Sequence, residues 1–186
     1  MNTMVDYLQR AKFFRTKKRL GQNFLINPEV IEDILDYAQI TKDDVVLEIG
    51  PGVGFVTEQL VKYAKKVIAV ELDEEAIKEL KKLECDNLEL IHNDILKTDI
   101  SELSGGEKIK VVANIPYYIT SPIIAYLLGE IDENIDFNDE YTCVYEKKHC
   151  KIWKDTYNYN ISRIYVRTDM LEELSLCLPK KSVKLL

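Results

Sequence analysis

At 186 residues, 46% of them hydrophobic and 31% charged, the chain is long enough for one core with a small appendage and too apolar to be disordered. Its formal net charge of -7 is unevenly spread: residues 1–22 carry +5, residues 23–150 carry -15 and residues 151–186 carry +3. No apolar run reaches membrane-spanning length and the first twenty residues lack a signal-peptide core, so a cytoplasmic protein with no membrane partner is expected.

The basic arm, residues 1–22, is either a polyanion-binding segment or a solvated terminus. Asn27-Pro28 then reads as a helix cap followed by proline in the first turn. Val30, Ile31, Ile34, Leu35 and Ala38 follow at helical spacing and give one apolar face. Val45 to Ile49 reads as a buried strand ended by a glycine loop, Gly50-Pro51-Gly52-Val53-Gly54, and a short helix through Val56, Leu60 and Val61 comes next. Val67 to Val70 is a second strand, closed by Glu71, and Asp73 caps a helix that buries Ala76, Ile77 and Leu80. Leu88 to Ile91 makes a third strand with Asp94 just beyond it, and Ile109 to Ala113 a fourth that delivers Asn114. Ser121-Pro122 opens a last helix bearing Ile123, Ile124, Leu127 and Leu128. Asp99 and Glu102 are read as solvated surface.

Strands alternating with helices at this spacing predict an α/β fold, a Rossmann-like open parallel sheet with helices on both faces. Ligands of such sheets lie beyond the carboxyl ends of the strands, where Gly50, Glu71, Asp94 and Asn114 all fall. The four cysteines, Cys85, Cys143, Cys150 and Cys177, form no Cys-x-x-Cys pair and are read as reduced thiols. His149 beside Cys150 matches no common zinc spacing, so no metal is expected.

The glycine loop lets the backbone approach a cofactor closely, or simply turns tightly. A dinucleotide fingerprint starting at Gly50 needs Gly or Ala at position 55, and that residue is Phe55; Gly-x-Gly-x-Gly better fits the methionine end of S-adenosylmethionine. Glu71 either accepts from two ribose hydroxyls or caps the next helix. Asp94 either accepts from the adenine amine of the cofactor or is a loop acid, with Asn93 as its rival. Asn114-Ile115-Pro116-Tyr117 offers acceptors, a rigid turn and an aromatic ring to a planar amine, or is a strand end with packing tyrosines. With the glycine loop about 60 residues upstream, the chemical reading prevails: methyl transfer to an exocyclic base nitrogen, catalysed by positioning rather than by a strong base.

Leu20-Gly-Gln-Asn23-Phe-Leu25, Glu48-Ile-Gly-Pro-Gly-Val-Gly-Phe55, Glu71-Leu-Asp73, Asn93-Asp94-Ile95 and Asn114-Ile-Pro-Tyr-Tyr-Ile-Thr-Ser-Pro122 stand in that order. Over residues 17–128 the chain thereby resembles the adenine N6,N6-dimethyltransferases of small-subunit ribosomal RNA, and is similar to the erythromycin-resistance methylases of large-subunit RNA. The resemblance implies that Asn23 and Leu25 close over the cofactor, that Gly50, Gly52, Glu71, Asp94 and Asn114 bind it, and that Asn114, Ile115, Pro116 and Tyr117 hold the target adenine. It implies an enzyme that methylates two adjacent adenosines in the 3′-terminal hairpin of small-subunit rRNA, working as a monomer on the small ribosomal subunit. A large-subunit methylase and a non-catalytic RNA-binding fragment of the fold are the rivals.

The resemblance lapses near Asp132. The expected arrangement is a basic arm (1–22), a methyltransferase core (23–132) and an atypical tail (133–186) with the helical RNA-binding domain absent. A truncated or frame-shifted member is expected, its sheet incomplete and open at one edge. Translating the gene in its other two frames tests this, since a frameshift predicts the missing motifs there.

Overall fold

Asn27 begins the first helix of the body as its sequence dictates. Its Oδ1 accepts from the Glu29 amide at 3.1 Å, and Pro28 needs no partner in the first turn. The computed structural model describes the backbone of residues 4–13, 25–114, 119, 122–123, 126–127, 142–146, 149–153, 161–167 and 183–185, with side chains for 6–11, 25–114, 119, 122, 123, 126 and 127. In chain order these hold α1 (Met4–Phe13), α2 (Pro28–Ala38), β1 (Val45–Ile49), α3 (Thr57–Tyr63), β2 (Lys66–Glu71), α4 (Glu74–Leu80), β3 (Leu88–His92), α5 (Ile100–Ser104) and β4 (Ile109–Asn114). Strands β5 (Thr142–Glu146), β6 (His149–Trp153), β7 (Ile161–Arg167) and β8 (Val183–Leu185) follow.

The four expected strands lie parallel in the order β3-β2-β1-β4, so the chain's first strand is interior. All five residues of β1 are buried, which is why its sequence is a continuous apolar run rather than an alternation. Val45, Leu47 and Ile49 pack on one face with Ile68, Val70, Val111, Ile123 and Leu127. Val46, Val67 and Val112 pack on the other with Ile31 and Ile34 of α2 and Leu60 of α3. Leu60 is fully enclosed, and truncating it to alanine would cost about 2–5 kcal/mol.

Two elements go beyond the sequence reading, while Asp99 and Glu102 are exposed as it expected. Asp99 caps α5, accepting from the Ser101 amide at 2.8 Å, and Ser101 holds its carboxyl below the ordinary value. This short helix buries Ile100 and Ser104. The expectation of a sheet left open beside its fourth strand is corrected. Strand β7 pairs parallel with β4 from Lys110–Arg163 to Asn114–Arg167, and the sheet continues through β6, β5 and β8. Ile161-Ser-Arg-Ile-Tyr-Val-Arg167 is rich in the β-branched and aromatic residues that favour a strand, within what the sequence reading took as an atypical tail. Ile124 and Leu128 lie outside the described residues.

Candidate functional site

Strand register assembles the site. In β1, β2 and β4, Glu48 faces Ala69 and Val112, so the next position outward on the same face carries Gly50, Glu71 and Asn114 side by side. Glu71 in turn faces His92, two residues before Asp94. Three of the four expected strand-end residues therefore form one row, with Asp94 beyond its edge and Glu48 one row beneath.

The glycines of the loop do different work. A Cβ on Gly50, at φ +67°, would meet nothing within 4 Å among the described residues, so they leave the space beside it open. A Cβ on Gly54, at φ +88°, would lie 2.8 Å from Leu80 Cδ2 and 3.3 Å from Leu83 Cδ1. The third glycine is therefore required by the packing of the loop on α4. The Gly50 amide donates to the Val70 carbonyl at 3.0 Å, extending the β1–β2 ladder one residue into the loop.

Glu71 is buried. Its Oε2 accepts from the Gly52 amide at 2.9 Å and its Oε1 from the Asp73 amide at 2.8 Å. These bonds fix the carboxylate against the loop and occupy about half of its lone-pair sites, leaving acceptor capacity for hydroxyls. Asp73 itself caps α4, accepting from the Glu75 amide at 3.0 Å, so the cap falls to Asp73 and Glu71 is left to the loop. Asp94 is half-buried and accepts from the Leu96 amide at 3.0 Å through Oδ1. Between Glu71 and Asp73, Leu72 is 53% exposed, an apolar side chain at the mouth of the site that sequence reasoning passed over.

Glu48 was also passed over as a site residue, although an acid within an apolar strand was a legible signal. It is 3% exposed, and its Oε2 has no hydrogen-bond partner among the described residues. Burial pushes its carboxyl up to about 8; the nearby Thr57 hydroxyl opposes this and the Glu71 charge adds to it. Thr57 Oγ1 is itself buried without a formed hydrogen bond, so its help to the charged form falls short of a full bond.

The arm is not wholly solvated. Within α1, Tyr7 is 2% exposed, and its ring centroid lies 4.6 Å from that of Phe55. Arg10 lies over the Phe55 ring, is ion-paired with Glu58 and donates to the Val53 carbonyl at 3.1 Å. Leu25 joins the same cluster as Tyr7, Val53 and Phe55. The residue that argued against a dinucleotide loop is thus an anchor for the amino-terminal helix. Asn23, Ile115, Pro116 and Tyr117 lie outside the described residues. Among the described residues no helix is long and apolar enough to cross a membrane, and no group of three or more His, Cys, Asp or Glu could hold a metal ion.

Residues 13–159 match the family model described as ribosomal RNA adenine dimethylase, so the match runs past Asp132. A ribosomal RNA small subunit methyltransferase A from Clostridium acetobutylicum is 54% identical over 122 residues, which are 63% of this chain and 44% of that protein. Its namesake from Clostridium perfringens is 54% identical over 118 residues, 62% of this chain and 41% of the relative. The chain spans less than half the length of these curated relatives. The crystal structure of the 23S rRNA methyltransferase ErmE is similar at 34% identity and TM-score 0.53, over 59% of this chain and 44% of that one.

Proposed function

The chain belongs to the ribosomal RNA adenine dimethylase family, and we propose that it binds S-adenosylmethionine and transfers methyl groups to the N6 nitrogen of adenosines in ribosomal RNA. The row formed by Gly50, Glu71 and Asn114 carries this reading. The described residues fit the cofactor: open space beside Gly50, a fixed carboxylate at Glu71 with lone pairs to spare, and a buried oxygen at Glu48 that none of them partners. Glu71 would accept from the ribose hydroxyls, Asp94 from the adenine amine, and Gly50 and Gly52 would lie along the methionine end, with Asn23 and Leu25 closing over it. Leu72 offers an apolar surface to the adenine ring.

S-adenosylmethionine supplies an electrophilic methyl group on a sulfonium. The target amine is a poor nucleophile because its lone pair is spread into the ring. Asn114, through its side-chain carbonyl, and Ile115, through its main-chain carbonyl, accept the amine hydrogens and favour a pyramidal nitrogen whose lone pair faces the methyl. Pro116 fixes the turn and Tyr117 stacks on the unstacked base. With the donor bound, the nitrogen would displace the sulfur at the methyl group and shed its surplus proton to water, while Asn114 and Ile115 hold the amine. Orientation and fixed acceptors provide the acceleration.

The substrate we assign is a pair of adjacent adenosines in the 3′-terminal hairpin of small-subunit rRNA, with the basic residues of the arm on its phosphates. The curated relatives favour the small subunit, and the likeness to a 23S rRNA methyltransferase keeps the large subunit as a second target to be measured. The test is transfer of labelled methyl from S-adenosylmethionine to unmethylated small and large subunits, with Asn114→Ala as control. Label on small-subunit adenosines, lost in the control, is expected. Label on the large subunit would reassign the RNA, and no label on either would refute the activity.

A further inference from the structure

We propose that Arg10 is a positioning residue of the cofactor site: from α1 it holds the glycine loop in the shape that receives the amino-acid end of S-adenosylmethionine. This inference rests on the cofactor reading above and adds to it a residue of the arm. Its basis is the set of contacts that fix the loop. Gly50 and Gly52 stand at positive φ, and glycine loses more conformational freedom than any other residue when a chain is ordered. Two neighbouring residues carry the restraint. The Gly52 amide donates to Glu71 Oε2 at 2.9 Å, and the Val53 carbonyl accepts from Arg10 Nη2 at 3.1 Å. Strand β2 and helix α1 thus grip the loop at adjacent positions.

The chemistry of arginine suits this task. Nη1 pairs with Glu58 in the first turn of α3 while Nη2 serves Val53, and the guanidinium carbon lies 4.9 Å from the centroid of the Phe55 ring. One side chain therefore ties together the loop, the aromatic residue that closes it and the helix it leads into. Tyr7, one turn earlier on α1, packs on Phe55, and its hydroxyl accepts from Gln59 Nε2 at 3.2 Å. The two residues divide the work: Tyr7 fastens α1 to Phe55 and α3, and Arg10 reaches a backbone atom of the loop itself. A loop held in its binding shape beforehand spares the ligand the cost of ordering it. Releasing it should weaken the hold on the ligand end that lies along Gly50 and Gly52, and spare the nucleoside end assigned to Glu71 and Asp94.

The experiment is titration calorimetry of the native full chain and of Arg10→Met with S-adenosylhomocysteine and with 5′-methylthioadenosine, which has the same nucleoside and a thioether but no amino-acid end. Methionine keeps an apolar contact for Phe55 and removes the fork. S-adenosylhomocysteine should bind Arg10→Met about tenfold more weakly, the loss of one hydrogen bond from a charged donor, with methylthioadenosine binding unchanged. Tyr7→Phe keeps the ring and loses the hydroxyl, so it loosens α1 without touching the loop; it should lower the urea unfolding midpoint and leave both affinities native. Native affinity for S-adenosylhomocysteine in Arg10→Met, equal weakening of both compounds, or the same weakening in Tyr7→Phe overturns the inference and leaves the cofactor reading standing. Should Arg10→Met fail to fold, Arg10→Lys takes its place: it keeps a cation beside Glu58 without the planar fork, and the same selective loss is expected, its absence overturning the inference. Binding of neither compound by the native chain removes the cofactor reading, and the inference with it.

Discussion

At the amino ends of β1 and β4, Asp44 lies 2.7 Å from Lys110, whose Nζ also donates to the Gln39 carbonyl, while the Thr41 amide donates to the same carboxylate. At the carboxyl ends of β1 and β2, Glu48 and Glu71 share a face and neither is ion-paired with a lysine or arginine among the described residues. Both ends bury acids, but only one neutralises them. Asp44 is pushed up by burial and pulled further down by Lys110 and Thr41, so its carboxyl is held below its ordinary value. Glu48 stands near 8. An acid completed within the fold serves stability; an acid left incomplete keeps a place for something that binds.

The largest effect expected follows from removing the incomplete charge. Glu48 holds its proton more tightly folded than unfolded, so its contribution is intact below its ordinary value of 4.5 and is lost as pH rises toward about 8. Glu48→Gln should therefore stabilise the chain by about 2 kcal/mol or more at pH 8 and by little at pH 4.5, after the cost of burying an amide. Urea unfolding at both pH values measures this, and equal midpoints for the two chains at pH 8 would erase the distinction between the ends.

Breaking the completed pair should act with the opposite pH dependence. Lys110→Met leaves Asp44 partly buried without its cation, for a loss of about 2 kcal/mol near neutrality. Because the Asp44 carboxyl is depressed, its contribution is present above 3.8 and lost as pH falls through the lower folded value. The difference between Lys110→Met and the native chain should thus shrink on acidification, read from unfolding midpoints between pH 3 and 7.

Glu71→Gln sharpens the carboxyl-end half of the comparison. An amide accepts from one of the Gly52 and Asp73 amides but presents a donor to the other, costing about 1–2 kcal/mol. Losing the Glu71 charge also lowers the Glu48 carboxyl, so the stability gain from a further Glu48→Gln change should be smaller in this background than in the native one. The smallest effect expected is at a site remote from both acids: Asn27→Ala removes the α2 cap for about 1 kcal/mol, with no pH dependence between 5 and 8.

The first four strands, the caps at Asn27 and Asp73, and the Gly50–Glu71–Asn114 row were legible in the sequence because local chemistry specifies each. A fully apolar run is a parallel strand, an Asn before Pro is a helix start, and a residue just past a strand lies where ligands gather. Tyr7 was hidden by the basic composition around it, and its contact with Phe55, with those of Arg10, shows that α1 belongs to the body. Helix α5 is too short for periodicity, although Asp99 three residues before Glu102 was an available capping signal. Glu48 could be seen but not understood from sequence: its environment depends on Thr57 and Glu71, which the fold brings to it from two other elements.

The interior placement of β1 also sets an order of assembly. Val45 faces Lys66 in one pairing and Ile109 in the other, so the β1–β2 contact closes a far shorter loop than the β1–β4 contact. Loop closure favours the nearer pairing, and a chain emerging from its amino end can form it first. Gly50 and Glu71 are then in place before Asn114 arrives. On the proposed assignment of these residues, the nascent chain would hold the cofactor half of the site before the half that meets the base, so the cofactor would act as a folding ligand for the unfinished sheet.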